Sequence, residues 1–179
     1  MSVEVLIRNS QRAWKVDTRR LRELAVALLV RELGKDDAAL GIGLVGARRM
    51  AGLNWQWLRH QGSTDILTFD HRSAPSESLH GELFISVDDA VTQAAEFGVT
   101  PGEELARYVV HGVLHLLDYD DLETSARRVM KREESRLVRR LGADFELRSL
   151  VMASVKKPRP GGVREHCARD VTTTSRPSP

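Results

Sequence analysis

The stretch His111-Gly112-Val113-Leu114-His115-Leu116-Leu117-Asp118-Tyr119-Asp120-Asp121 decides how the rest of the chain is read. His111 and His115 stand four apart, so on a helix both imidazoles project from one face, one turn apart, where two nitrogens can grip one ion. After Leu117 the composition turns from apolar to acidic and turn-forming, which lets the chain reverse and bring a carboxylate back toward the rings. Asp121 is the best-placed third ligand. Three protein ligands with a fourth position open to water describe a catalytic zinc rather than a structural one. The competing reading is a pair of ordinary core histidines on an apolar helix. Val109 to Leu117 is apolar on nearly every side, so the helix is expected to be buried, and two buried imidazoles need partners or an ion to offset lost hydration.

Upstream, Thr100-Pro101-Gly102-Glu103 is a helix start, with Thr at the N-cap, Pro at the first helical position and Glu placed to close a capping box. Before it the chain alternates strand and helix. Val3–Ile7 reads as a strand, and Asp17 or Thr18 caps a helix through Leu21, Leu24, Ala25, Leu28 and Leu29 that stops at Gly34. Leu40–Val45 reads as a strand, Ala47–Leu58 as a helix, Asp65–Phe69 as a strand and 72–78 as a polar loop. Gly81–Val87 reads as a strand, followed by a helix capped by Asp88 that runs to Gly98. Downstream, a last helix runs from Leu122 to Leu141-Gly142 with Ala126, Met130, Leu137, Val138 and Leu141 inward. Glu134 falls on that apolar face, either at the edge of the stripe or as an acceptor for a ligand histidine. The pattern predicts an α+β domain over residues 1–152, a mixed sheet of about four strands covered by helices, with the metal site on a buried central helix.

The chain has 179 residues and a net charge of +2, enough length for one core. Residues 152–179 hold six Lys/Arg against two Asp/Glu, leaving the body nearly neutral, so global charge does not announce a nucleic-acid partner. Residues 153–179, rich in Lys, Arg, Pro, Gly, Thr and Ser without periodicity, are expected to be a disordered basic tail. The single Cys167 excludes an internal disulfide. No apolar run reaches the roughly 18 residues of a membrane span, and the N-terminus carries no signal pattern, so a cytoplasmic protein is expected.

With these residues in hand, the chain resembles the YbeY family of bacterial rRNA-maturation endoribonucleases, whose signature reads H-G-x-L-H-L-x-G-Y-D-H. His111, Gly112, Leu114, His115, Leu116, Tyr119 and Asp120 stand at its positions; Asp118 replaces a glycine and Asp121 the third histidine. Further matches are Leu53-Asn54, 64–69, Gly81-Glu82-Leu83 with Ile85-Ser86, and Met130 with Glu134 and Leu141-Gly142. The resemblance implies metal-dependent, single-strand-specific RNA hydrolysis in maturation of the 16S rRNA 3′ end and in ribosome quality control. It implies one zinc per chain, and the small ribosomal subunit and its assembly proteins as partners. If the family glycine has a positive φ, Asp118 is a tolerable substitute. Asp121 makes the ligand set two imidazoles and a carboxylate, and its charge should weaken the ion's Lewis acidity. The arginine that many members carry six residues before the Thr falls at Leu58; Arg59 is adjacent but about 100° round the helix. Arg59 and His60 are candidate substrate contacts, with Arg59 a candidate for stabilising charge on the phosphate.

Two rivals stand beside this reading. A zinc peptidase of the H-E-x-x-H type lacks its base, since Gly112 occupies the glutamate's position. A ribosome-assembly or RNA-binding factor with a structural metal fits the altered third ligand and the missing arginine. Arg127, Arg128, Lys131, Arg132, Arg136, Arg139 and Arg140 give the last helix a basic face that could meet phosphates or simply be solvated.

Overall fold

A computed structural model describes residues 2–153. Of the tail read over 153–179, residues 154–179, with Cys167, lie outside the described residues. Four strands form a mixed sheet in the order β1-β3-β5-β4: β1 (Val3–Asn9), β3 (Ala38–Val45) and β5 (Leu79–Ser86) run parallel, and β4 (Ile66–Asp70) is an antiparallel edge strand. The α+β architecture with a four-stranded mixed sheet is the one expected.

Alternation along the strands sends side chains to two different cores. Leu40, Ile42 and Leu44 of β3 and Leu83 and Ile85 of β5 face the main core. That face is covered by α1 (Thr18–Ala27), α3 (Val87–Phe97), α4 (Pro101–Leu116) and α5 (Thr124–Asp144). Val45, Phe84, Leu67 and Phe69 point the other way, into a smaller cluster beneath Met50 and Leu53 of α2 (Ala47–Leu58). The parallel β1–β3 and β3–β5 pairs require crossovers, and α1 and α2 supply them.

The central helix α4 starts as its sequence dictates. Thr100 Oγ1 accepts the Glu103 N–H and the Glu103 carboxylate accepts the Thr100 N–H at 2.7 Å, closing the capping box. The helix then crosses the sheet at Gly112. A Cβ there would lie 2.6 Å from Ile66 Cδ1 and from Leu83 Cδ2, so glycine is what lets helix and sheet approach.

Several details depart from the sequence reading. The helix starting at Val87 is capped by Ser86, whose hydroxyl accepts the Asp89 N–H; Asp88 instead caps α2, accepting the Ala47 N–H at 2.9 Å while taking the Trp14 indole N–H at 3.0 Å. Proximity in space, not position in the chain, decides which helix end a carboxylate serves. The helix of α1 passes into a π-turn over Leu28–Glu32 before Gly34 at φ +63°. Two three-residue strands, β2 (Trp14–Val16) and β6 (Val151–Ala153), pair antiparallel, so the ordered body includes Ala153, opposite Trp14.

Candidate metal centre

The last turns of α4 and the loop after it bring together the three residues expected as ligands. One donor atom each from His111, His115 and Asp121 lie within 4.8 Å of one another. The two histidines are half-buried at the end of a helix whose other faces are packed. Asp118 turns the chain with φ +64°, the left-handed conformation that Asp adopts more readily than most residues. Its N–H donates to the His115 carbonyl at 3.0 Å, and its carboxylate meets Arg72 at 3.3 Å, tying the turn to the β4–β5 loop. Arg127 of α5 donates to the Asp121 and Leu122 carbonyls at 2.8 and 3.2 Å, which holds the Asp121 loop against α5.

Hydrogen bonding determines what the imidazoles offer. A carbonyl only accepts, so the 3.0 Å contact between His115 Nδ1 and the Tyr119 carbonyl puts the proton on Nδ1. His111 Nδ1 lies 3.0 Å from the Glu134 carboxylate, which likewise calls for a proton on Nδ1. In the neutral rings both Nε2 lone pairs then face each other at 3.0 Å, a repulsion relieved either by a proton on His111 Nε2 or by a metal ion bound to both rings. Two nitrogens each about 2.0–2.1 Å from one zinc can be no more than about 4 Å apart, a condition this pair meets. The donor set therefore fits a divalent metal of the zinc type.

Behind His111 lies a charged relay. Glu134, 8% exposed, accepts from His111 through one carboxylate oxygen and from Arg107 through the other at 2.7 Å. Of the two sequence readings of Glu134, the helix-surface one is thus corrected: the α4–α5 packing turns its carboxylate inward onto His111. Burial raises the Glu134 pKa, but its bonds from His111 and Arg107 outweigh this and hold the carboxyl below its usual range. For His111, burial lowers the pKa, and the Glu134 carboxylate more than reverses the effect. Glu104, also buried, sits 3.4 Å from Arg107; desolvation pushes its pKa up against the attraction of that guanidinium.

One space at the site, of about 310 Å³, is lined by His111, Asp121, Arg127, Met130, Lys131 and Glu134, and two more open beside it. One, of about 290 Å³, is lined by Leu58, Asp65, residues 66–69, His111 and His115. The other, about 420 Å³, is bounded by Asp65, Arg107, His111, Lys131 and Glu134 among others. Asp65 borders both; in the sequence it stands only within the family match at 64–69, at the head of a strand, and is not singled out as a site residue. Arg107 and Glu104 were missed because nothing local marks which helix they meet. Leu58 reaches the space beside the histidines. Arg59, the helix C-cap at φ +58°, is exposed with its guanidinium 5.9 Å from the Trp55 ring centroid; His60 is exposed beside it. On α5, Arg136 is bound to Glu133 at 2.7 Å and Arg140 to Glu32 at 3.3 Å, so part of the basic face is already neutralised.

Gly112 faces the sheet rather than the two open spaces, so a glutamate could not occupy this position without displacing Ile66 and Leu83. The glutamate base of the H-E-x-x-H peptidase arrangement therefore has no place at this position. Among the described residues, no helix is long and apolar enough to cross a membrane.

Comparison with known proteins identifies the family and the fold. Residues 6–142 match the family described as "Endoribonuclease YbeY". A protein of that name from Anaeromyxobacter dehalogenans is 37% identical over 161 residues, covering 89% of this chain and 81% of that one. Another, from an Anaeromyxobacter species, is 39% identical over 165 residues, covering 90% and 82%. A Thermotoga maritima protein of known solution structure superposes with a TM-score of 0.60 at 23% identity, covering 80% of this chain and 92% of that one, which shows the shared fold. The chain belongs to the YbeY endoribonuclease family.

Proposed function

We propose that this protein is a zinc-dependent endoribonuclease that cuts single-stranded RNA in the cytoplasm during rRNA maturation and ribosome quality control, acting at the 16S 3′ end with the small subunit and its assembly proteins as partners. The observation that carries the metal-dependent reading is the pair of Nε2 atoms 3.0 Å apart, each on a ring whose Nδ1 is already committed to an acceptor. His111, His115 and Asp121 would hold the ion. When bound, zinc lowers the pKa of water and polarises a phosphoryl oxygen.

The rest falls to the chain. Glu134 and the Tyr119 carbonyl fix the ring tautomers, and Arg107 keeps Glu134 ionised so that it continues to accept. Asp65, bordering both open spaces, would accept the proton; Asp118 and Asp120, the other acids near the ligands, are engaged elsewhere. Asp118 is engaged with Arg72, and Asp120 accepts the Leu122 N–H at 3.0 Å. Lys131 borders the larger space beside His111, and Arg59 stands exposed at the end of α2; each is a cation for the phosphate.

The test is cleavage of a labelled RNA offered single-stranded or annealed to its complement, with one equivalent of zinc or after chelation. Cutting confined to the single strand and abolished by chelator is expected. Absence of cutting by zinc-loaded protein would favour the assembly-factor reading, which draws its support from Leu58, an apolar residue beside the histidines.

A further inference from the structure

The segment 38–64 contains no Asp or Glu, although the chain carries 25 of them. Within it, α2 presents Arg48, Gly52, Trp55 and Arg59 at spacings of four, three and four, which places them on one face of the helix. All four are exposed. Arg48 and Arg49 have no hydrogen-bonded or ion-paired partner among the described residues. At the helix start they border, with Arg12, an open depression of about 420 Å³; Asp88 also borders it, with its carboxylate engaged by the Ala47 N–H and the Trp14 indole.

The aromatic and glycine positions point the same way. Trp55 is 49% exposed, and Trp57 and Leu58 after it are 58% and 52% exposed, so the end of α2 carries a cluster of apolar side chains in water. Arg59 sits against the Trp55 ring, which supports it as a flat platform. Gly52 lies in the middle of a helix, where glycine costs about 1 kcal/mol relative to alanine. It has no neighbour within 4 Å of a Cβ and no positive φ, so neither packing nor backbone conformation requires it. A low point between a cation and an aromatic ring suits a ligand that lies along the helix. The helix is roughly 18 Å long at 1.5 Å per residue, and its last residue, Leu58, lines the space that holds His111 and His115.

We infer that the exposed face of α2 is a track for single-stranded RNA leading to the metal centre, with Arg12, Arg48 and Arg49 on the phosphates and Trp55 stacking a base. This rests on the RNA-hydrolase reading above and adds the route by which the strand arrives. Unpaired cations with an interposed aromatic ring are the combination that binds single strands without reading sequence. On α5, Arg136 and Arg140 are paired with carboxylates and Arg127 with backbone carbonyls, and the cations without a partner among the described residues, Arg128, Lys131, Arg132 and Arg139, have no aromatic side chain between them.

The test is equilibrium binding of a fluorescein-labelled single-stranded RNA dodecamer to the full chain in EDTA, from 50 to 200 mM KCl, so that cleavage does not intervene. Three variants are compared with wild type: Arg48→Ala/Arg49→Ala, Trp55→Ala, and Arg139→Ala on α5. All these side chains are exposed, and circular dichroism verifies the fold. The double arginine variant should reduce the slope of log K against log salt by about 1.4, at about 0.7 per phosphate on a single strand. Trp55→Ala should weaken binding roughly five- to hundred-fold with the slope unchanged. Arg139→Ala should behave as wild type. RNA bound by wild type with the same affinity and slope in both α2 variants would overturn the track and leave the hydrolase reading standing. Failure of the wild-type chain to bind RNA at any salt would overturn both.

Discussion

Glu134 of α5 accepts a hydrogen bond from Nδ1–H of His111 of α4 at 3.0 Å while its other oxygen accepts one from Arg107 at 2.7 Å, so two helices meet through one buried carboxylate beside the ligand set. The geometry makes His111 a better donor to a metal than an imidazole with a solvated Nδ1, because the carboxylate raises ring basicity and fixes ring orientation. The same contact ties α5 to α4, so the residue serves packing and site together.

Replacing Glu134 by Gln keeps the volume and removes the charge. Zinc affinity is expected to fall about 10- to 100-fold, measured by competition with a chromophoric chelator. Affinity within a factor of two of wild type would show that the carboxylate does not tune His111.

At Gly112, alanine is favoured by helix propensity by about 1 kcal/mol but opposed by overpacking of about 1–3 kcal/mol against Ile66 and Leu83, whose methyl groups lie 2.6 Å from the new Cβ. The net expected for Gly112→Ala is a loss of about 1 kcal/mol, or roughly 2–4 °C in Tm, read by thermal melting. A rise in Tm would mean that the sheet yields without cost.

The capping box predicts an acid dependence. The Thr100 N–H and hydroxyl hold the Glu103 carboxyl below its usual range, so its stabilisation is complete above the unfolded pKa of about 4.3 and disappears as pH falls through the lowered folded value. Glu103→Gln should therefore melt below wild type at pH 7, and the gap should narrow as the pH is lowered from 7 to 3, throughout in EDTA so that metal release does not enter. A gap of the same size at both pH values would show that the titrating carboxylate is not its source.

Much of this architecture was legible because short-range signals coincide with it. Thr100-Pro101-Gly102-Glu103 starts α4 where the capping chemistry requires, and the four-residue spacing of His111 and His115 makes them neighbours on any helix. Asp118 could be anticipated at a positive φ from its replacement of a glycine. Contacts between distant segments could not be read in the same way. β2 and β6 have three residues each and pair across most of the chain, too short for a pattern. Asp88 sits two residues past the strand β5, where a cap for the next helix is the local expectation, yet its carboxylate serves α2. Glu134 on an apolar stripe left two roles open until the helix it meets was known, and Asp65 and Arg107 became site residues only through the folding of β4 and α4 around His111.

The claim at the centre is that His111, His115 and Asp121 together hold one metal ion. Its most direct test is elemental analysis of the full chain and of Asp121→Ala after zinc loading and desalting. About one zinc per chain is expected in wild type, with clear loss in the variant. Wild-type chain that retains no divalent metal, or a variant that retains as much as wild type, would contradict it.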